Sequence, residues 1–140
     1  MKYLRLSWGV PVVASILVVD DDAALRDVMC RRLRFAGHAV EEATDASQAL
    51  RLLQAGAWDL LITDILMRNG DGIELITAVR QADPDVSIMA ICGRAFLGSL
   101  DLLDVAARLG ADAILAKPLS YEHLLDQVAA LVGGGRARTG

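Results

Sequence analysis

Asp64 closes an apolar run, Leu60-Leu61-Ile62-Thr63, and a turn-rich stretch, Arg68-Asn69-Gly70-Asp71-Gly72, follows shortly after it. Two more apolar runs end in chemistry. Ile16–Val19 runs into Asp20-Asp21-Asp22, and Ala113–Ala116 runs into Lys117-Pro118. Clustered carboxylates repel, each close pair by about 4 kcal/mol at ~4 Å and an effective dielectric of ~20. A cation has to hold them together. Oxygen-only donors suit a hard ion, and Mg²⁺ favours one or two carboxylates with waters and a phosphoryl oxygen. An aspartate beside such an ion can attack phosphorus, and a lysine can offset charge on the transferred group. The residue types therefore point to phosphoryl transfer, provided the fold brings the three strand ends together.

The intervening chain predicts elements that would do so. Ile16–Val19 is short, apolar and rich in β-branched residues, as a strand buried on both faces should be. Asp22 reads as the cap or a first-turn acid of a helix over Ala23–Ala36, with Leu25, Val28, Met29 and Leu33 inward and Arg26, Asp27, Arg31 and Arg34 on the polar side. Gly37 ends it. A more polar strand, Ala39–Ala43, fits a sheet edge. Asp45 and Gln48 resemble a capping box for a helix that buries Ala46, Ala49, Leu50 and Leu53 and stops at Gly56. A strand over Asp59–Thr63 precedes the loop, then a helix over about Ile73–Gln81 faces Ile73, Ile76 and Val79 inward. Val86–Cys92 is a fourth strand. Ser99 is read as the cap of a helix to Leu109, with Leu102, Val105, Ala106 and Leu109 on one face and Leu100 and Leu103 off it. Gly110 ends that helix, Ala113–Ala116 is the fifth strand, and Ser120 caps a last helix carrying Tyr121, Leu124, Leu125, Val128 and Val132. Strands alternating with helices predict a doubly wound α/β domain with a parallel sheet and right-handed crossovers. Such sheets gather function outside the carboxyl ends of their strands. Asp20, Asp21, Asp64, Cys92 and Lys117 all fall at those ends.

Composition narrows the function classes. The 140 residues fit one domain, 54% are hydrophobic and the net charge is -4. No basic stripe suggests nucleic-acid binding, and at 4% aromatics there are few rings on which bases could stack. Cys30 and Cys92 have no metal-like spacing and read as buried thiols in a reducing cytosol. His38 and His123 read as solvated or locally bonded. Residues 1–15 hold Lys2 and Arg5 and then an apolar run that ends at Asp20, too short for a membrane span. They are expected to be an N-terminal extension, packed in part through Tyr3, Leu4 and Trp8, with a domain over 16–132 and a flexible polar tail over 133–140.

ILVVDD at Ile16–Asp21, DILMRNGDG at Asp64–Gly72 and Ala116-Lys117-Pro118, in that order and each at a strand end, resemble a response-regulator receiver domain, the phosphoacceptor module of two-component signalling. The likeness runs from Ile16 to about Val132. It implies a flavodoxin-like five-stranded sheet in the order 2-1-3-4-5 with five helices. It implies that Asp64 accepts a phosphoryl group from a sensor histidine kinase, a phosphotransfer protein or a small donor. Asp20 and Asp21 would hold Mg²⁺ with Asp64 and the backbone carbonyl of Leu66, and Lys117 would pair with the phosphoryl oxygens across a cis Lys117–Pro118 bond. The domain would be a signalling module with slow self-dephosphorylation, not a turnover enzyme. It would be cytoplasmic, stand alone in this chain, and act on an unknown downstream protein. The fourth helix, fifth strand and fifth helix would offer a partner or dimer surface.

Three positions depart from the family pattern. Arg68 stands where the loop usually has Pro. Cys92 stands at the switch Thr/Ser position, and a thiol is the weaker donor. Ile114 takes the place of the switch aromatic. A muted or different conformational response is expected. Two other readings compete: an interaction-only pseudo-receiver, and a small Mg²⁺-dependent phosphohydrolase using Asp20 and Asp22 as an Asp-x-Asp pair.

Overall fold

The computed structural model describes residues 13–67, 71–93 and 96–139. Five parallel strands form one sheet: β1 (Ser15–Val19), β2 (Ala39–Ala43), β3 (Leu60–Asp64), β4 (Ser87–Cys92) and β5 (Ala113–Ala116). Their order is β2-β1-β3-β4-β5, the predicted one. Among the described residues, five helices connect or follow them: α1 (Ala23–Phe35), α2 (Ala46–Ala55), α3 (Asp71–Ala82), α4 (Leu102–Leu109) and α5 (Tyr121–Thr139).

Alternation along the strands splits the core in two. Leu17, Val19, Leu61, Ile88, Ala90 and Cys92 face the side covered by α2, α3 and α4. Ile16, Val18, Leu60, Ile62, Met89 and Ile91 face the side covered by α1 and α5. Every residue of β3 and β4 is buried, which is why these strands read as unbroken apolar runs. β2 alternates between exposed and buried and lies at the edge, as its polarity predicted.

The caps are largely those expected. Asp22 accepts the Leu25 N–H. Asp45 accepts the Gln48 N–H, while the Gln48 side chain reaches back to the Thr44 N–H, one residue before the usual capping-box partner. Ser120 Oγ accepts the His123 N–H. Gly110 has φ of 105° and closes α4 in the left-handed region.

Several expectations need correction. Ser99 does not cap α4. Phe96–Leu97 pairs antiparallel with Leu100–Asp101, so Ser99 lies in the turn of this short ribbon. Asp101 is the cap, accepting the Leu103 and Asp104 N–H groups. Val28 is 38% exposed and Cys30 takes the inward place on α1 assigned to it. α5 does not stop at Val132 but continues to Thr139. Nothing after Val132 forbids it: glycine costs about 1 kcal/mol per helical position, yet an existing helix gains one hydrogen bond per added residue. His38 is buried rather than solvated, its Nδ1 accepting the Ala14 N–H at 3.1 Å. Tyr3, Leu4 and Trp8 lie outside the described residues, as does most of the expected extension. No described helix is long and apolar enough to cross a membrane.

Candidate functional site

The chain runs from β1 to β2 on one side of the sheet and then crosses to β3 on the other side of β1. The sheet order therefore reverses between β1 and β3. Val19 is in register with Thr63, so the next residues, Asp20 and Asp64, leave the sheet side by side at that reversal. Asp64 is level with Ile91 on β4, and Ile91 with Leu115 on β5. Two residues further, the Lys117 N–H donates to the Cys92 carbonyl at 2.9 Å, and Lys117–Pro118 is cis. The Lys117 ammonium ends beside both acids.

Asp64 is buried and its two oxygens are separately engaged. Oδ1 accepts the Leu66 N–H at 3.0 Å and Oδ2 accepts the Lys117 Nζ at 2.7 Å. Asp20 is fully buried, with Oδ1 accepting the Asp22 N–H at 2.9 Å. Among the described residues, its Oδ2 has no hydrogen-bond partner. The Lys117 ammonium lies 3.5 Å away, close enough to act through charge and too long for a good hydrogen bond. Burial pushes the Asp20 carboxyl above its ordinary value. The Asp22 N–H and Lys117 oppose this, and the charges of Asp64 and Asp21 reinforce it. For Lys117, burial alone would lower the ammonium's pKa; the bond and charge of Asp64 together with Asp20 outweigh it and the net shift is upward. The lysine stays protonated.

Asp20, Asp21 and Asp64 each present an oxygen within 4.8 Å of the others. Three carboxylates, no nitrogen or sulfur donor among them, and one buried oxygen without a donor fit a small hard cation. Asp22 is not among them: its carboxylate caps α1. Gly72 packs closely against the backbone at the end of β3. A Cβ at that position would collide with the carbonyl oxygens of Asp64 and Ile65, so the chain entering α3 crosses the end of β3 with no room for a side chain.

Of the remaining expected residues, Cys92 is buried at the end of β4, and Ile114 is half-buried against the core on the same side of the sheet. Arg68, Asn69 and Gly70 lie outside the described residues. The sequence reading missed Arg26. It was placed on the polar face of α1, yet its guanidinium donates to the Asp20 carbonyl at 2.7 Å and to Glu42 at 3.1 Å. Nothing in a helical pattern says which strand lies beneath the polar face.

A family model, the response regulator receiver domain, matches residues 16–129. The chain belongs to that family. The receiver is 36% identical over 117 residues to the response regulator MprA of Mycolicibacterium vanbaalenii, covering 84% of this chain and 49% of that protein. It is 35% identical over 117 residues to MprA of Mycobacterium leprae, with coverage of 84% and 50%. It thus spans about half the length of the curated relatives it matches. Among solved structures it resembles a CheY-like receiver domain protein from Methanospirillum hungatei, with a TM-score of 0.83, 27% identity, and coverage of 91% of this chain and 99% of that one. It resembles NtrX from Brucella abortus with the same TM-score of 0.83 and 27% identity, over 91% of this chain and 29% of that one.

Proposed function

We propose that this receiver accepts a phosphoryl group on Asp64, in a Mg²⁺-dependent step, from a sensor histidine kinase, a phosphotransfer protein or a small acyl phosphate, and signals through protein contacts. One observation carries the reading: a buried aspartate sits 2.7 Å from a lysine ammonium and within 4.8 Å of two further carboxylates at the sheet's reversal point. Asp20, Asp21, Asp64 and the Leu66 carbonyl would hold the ion. When bound, Mg²⁺ supplies positive charge against the carboxylates and the phosphoryl oxygens. A carboxylate oxygen of Asp64 forms the new O–P bond as the donor's bond to phosphorus breaks, and the leaving group takes the electron pair. The Leu66 N–H holds the other oxygen and fixes the carboxylate's direction. Lys117 is freed from Asp64 Oδ2 as that charge moves onto the phosphoryl oxygens, which it then follows. The work is positioning and electrostatics, as in phosphoryl transfer generally.

The phosphohydrolase reading loses Asp22 to helix capping. The pseudo-receiver reading rests on Cys92, Ile114 and Arg68; the first two concern readout rather than acceptance, and Arg68 lies outside the described residues. Incubation with acetyl phosphate and Mg²⁺, followed by mass spectrometry, tests the proposal. A labile adduct on Asp64 is expected, absent in Asp64→Asn and in EDTA and retained in Asp22→Asn. No adduct on the wild-type chain would leave the pseudo-receiver reading.

A further inference from the structure

The Asp20 backbone is held by a residue of α1 that lies outside the three-carboxylate cluster. Arg26 lies in the first turn of α1, its N–H bonded to the Asp22 carbonyl. Its Nη1 donates to the Asp20 carbonyl at 2.7 Å and its Nε to Glu42 Oε1 at 3.1 Å. Glu42 is on β2, and its other oxygen meets Arg34 Nη1 at 3.4 Å. Only 14% of the Arg26 side chain is exposed, against 33% for Glu42, so the pair is screened much less than a surface ion pair.

The Asp20 backbone is thereby gripped at both ends. Its N–H donates to the Ala43 carbonyl at 3.3 Å and its C=O accepts from Arg26. The C=O belongs to the peptide joining Asp20 to Asp21, so the orientation of that peptide sets where the Asp21 side chain points. The same peptide leads to the Asp22 N–H, which holds Asp20 Oδ1. Turning it would move both carboxylates. Like charges so close favour such a turn in the metal-free protein, since it separates them.

We infer that Arg26, braced by Glu42, is a positioning residue that keeps Asp20 and Asp21 in the arrangement a divalent cation needs. The inference rests on the phosphoacceptor reading of the site and adds to it the link from β2 through α1 to the acidic pair. The outer partners of metal ligands act this way, and losing one typically costs ~10-fold or more in metal affinity.

The test compares wild-type protein with Arg26→Gln, Arg26→Lys and Glu42→Gln. Hydrogen exchange of the Asp22 amide is followed in EDTA, and Mg²⁺ affinity by calorimetry. Adduct yield from acetyl phosphate is then measured across a Mg²⁺ titration. Arg26→Gln is expected to speed Asp22 exchange without metal and to weaken Mg²⁺ binding ~10-fold or more, with the wild-type yield regained once Mg²⁺ saturates. Glu42→Gln should weaken binding about threefold, the scale of a charge-assisted hydrogen bond made neutral. Arg26→Lys, which can reach one partner, should fall between. A folded Arg26→Gln with wild-type Mg²⁺ affinity overturns the inference and leaves the phosphoacceptor reading intact. A wild-type chain that neither binds Mg²⁺ nor forms the adduct overturns both.

Discussion

Gly72 carries a constraint that composition alone would assign to turn chemistry. The missing side chain matters because the backbone passes against the carbonyls of Asp64 and Ile65, and backbone atoms of a buried strand cannot move aside as a flexible side chain can. In Gly72→Ala, the new methyl must displace the start of α3 or the end of β3. Overpacking of this kind costs about 1–3 kcal/mol. A lower urea midpoint and slower adduct formation are expected together, because the yielding strand carries Asp64; a midpoint within error of wild type would mean that the loop relaxes freely. At this scale much of the candidate site's geometry was legible. Asp20, Asp64 and Lys117 each end an apolar run, and parallel strands in register must bring such ends together. Gly72 was legible only as a turn residue, since a close approach is a property of two segments. Arg26 was not legible, because its partners, Glu42 and the Asp20 carbonyl, lie on strands its own periodicity cannot see.

The strands that deliver these residues begin at the opposite edge of the sheet, where the start of β1 is tied down twice. The Ala14 N–H donates to His38 Nδ1 and the Ser15 N–H to Asp59 Oδ2 at 2.8 Å. His38, in the turn between α1 and β2, is an acceptor only while that nitrogen is unprotonated. Burial lowers its pKa below the ordinary 6.5, and the Asp59 charge opposes this without reversing it. The folded state thus takes up the proton less readily than the unfolded chain. Stability conferred by this histidine is full above 6.5 and is lost as pH falls from there toward the lowered folded value. The denaturation midpoint is expected to fall between about pH 7 and about pH 5. His38→Asn should flatten that slope, because its amide oxygen can replace Nδ1 as acceptor without titrating. An unchanged slope would assign the effect to other groups. Elements were more legible than their junctions. Ala39–Ala43 and Ala113–Ala116 fall where the pattern put them. The start of α4 was missed because a two-residue ribbon pairs Phe96–Leu97 with Leu100–Asp101, too short to leave a period. Arg80 gave no signal either. It joins the carbonyls of Pro84, Val86 and Gly110 to the Asp112 carboxylate, a staple visible only once α3, β4 and the end of α4 are assembled.

For the whole molecule, the question is how far a change at Asp64 travels. β4 and β5 are paired from Met89 to Cys92, and Cys92 and Ile114 lie on the side of the sheet that α4 covers. The end of α4 is held by the Arg80 bond to the Gly110 carbonyl at 2.8 Å, so the route open to α4 is its other end, at the ribbon. A hydroxyl at position 92 would draw that region toward a phosphoryl oxygen. A hydrogen bond to a charged group contributes about 1.5–3 kcal/mol, while carrying a two-state equilibrium from 1:99 to 99:1 takes about 5.5 kcal/mol. On the proposed reading, a weaker thiol donor at Cys92 would remove a sizeable part of that drive. Ile114 adds none, since it is packed against the core and has no polar end to exchange between water and protein. With Mg²⁺ and beryllofluoride, a phosphoryl mimic, backbone NMR shifts in the wild-type protein are expected to concentrate in the segments around Asp20, Asp64 and Lys117. In Cys92→Thr they should extend through the ribbon and α4 into β5, because a hydroxyl is the stronger donor. Shifts across α4 and β5 in the wild-type protein as large as in Cys92→Thr would show that acceptance and readout are coupled here by some other contact.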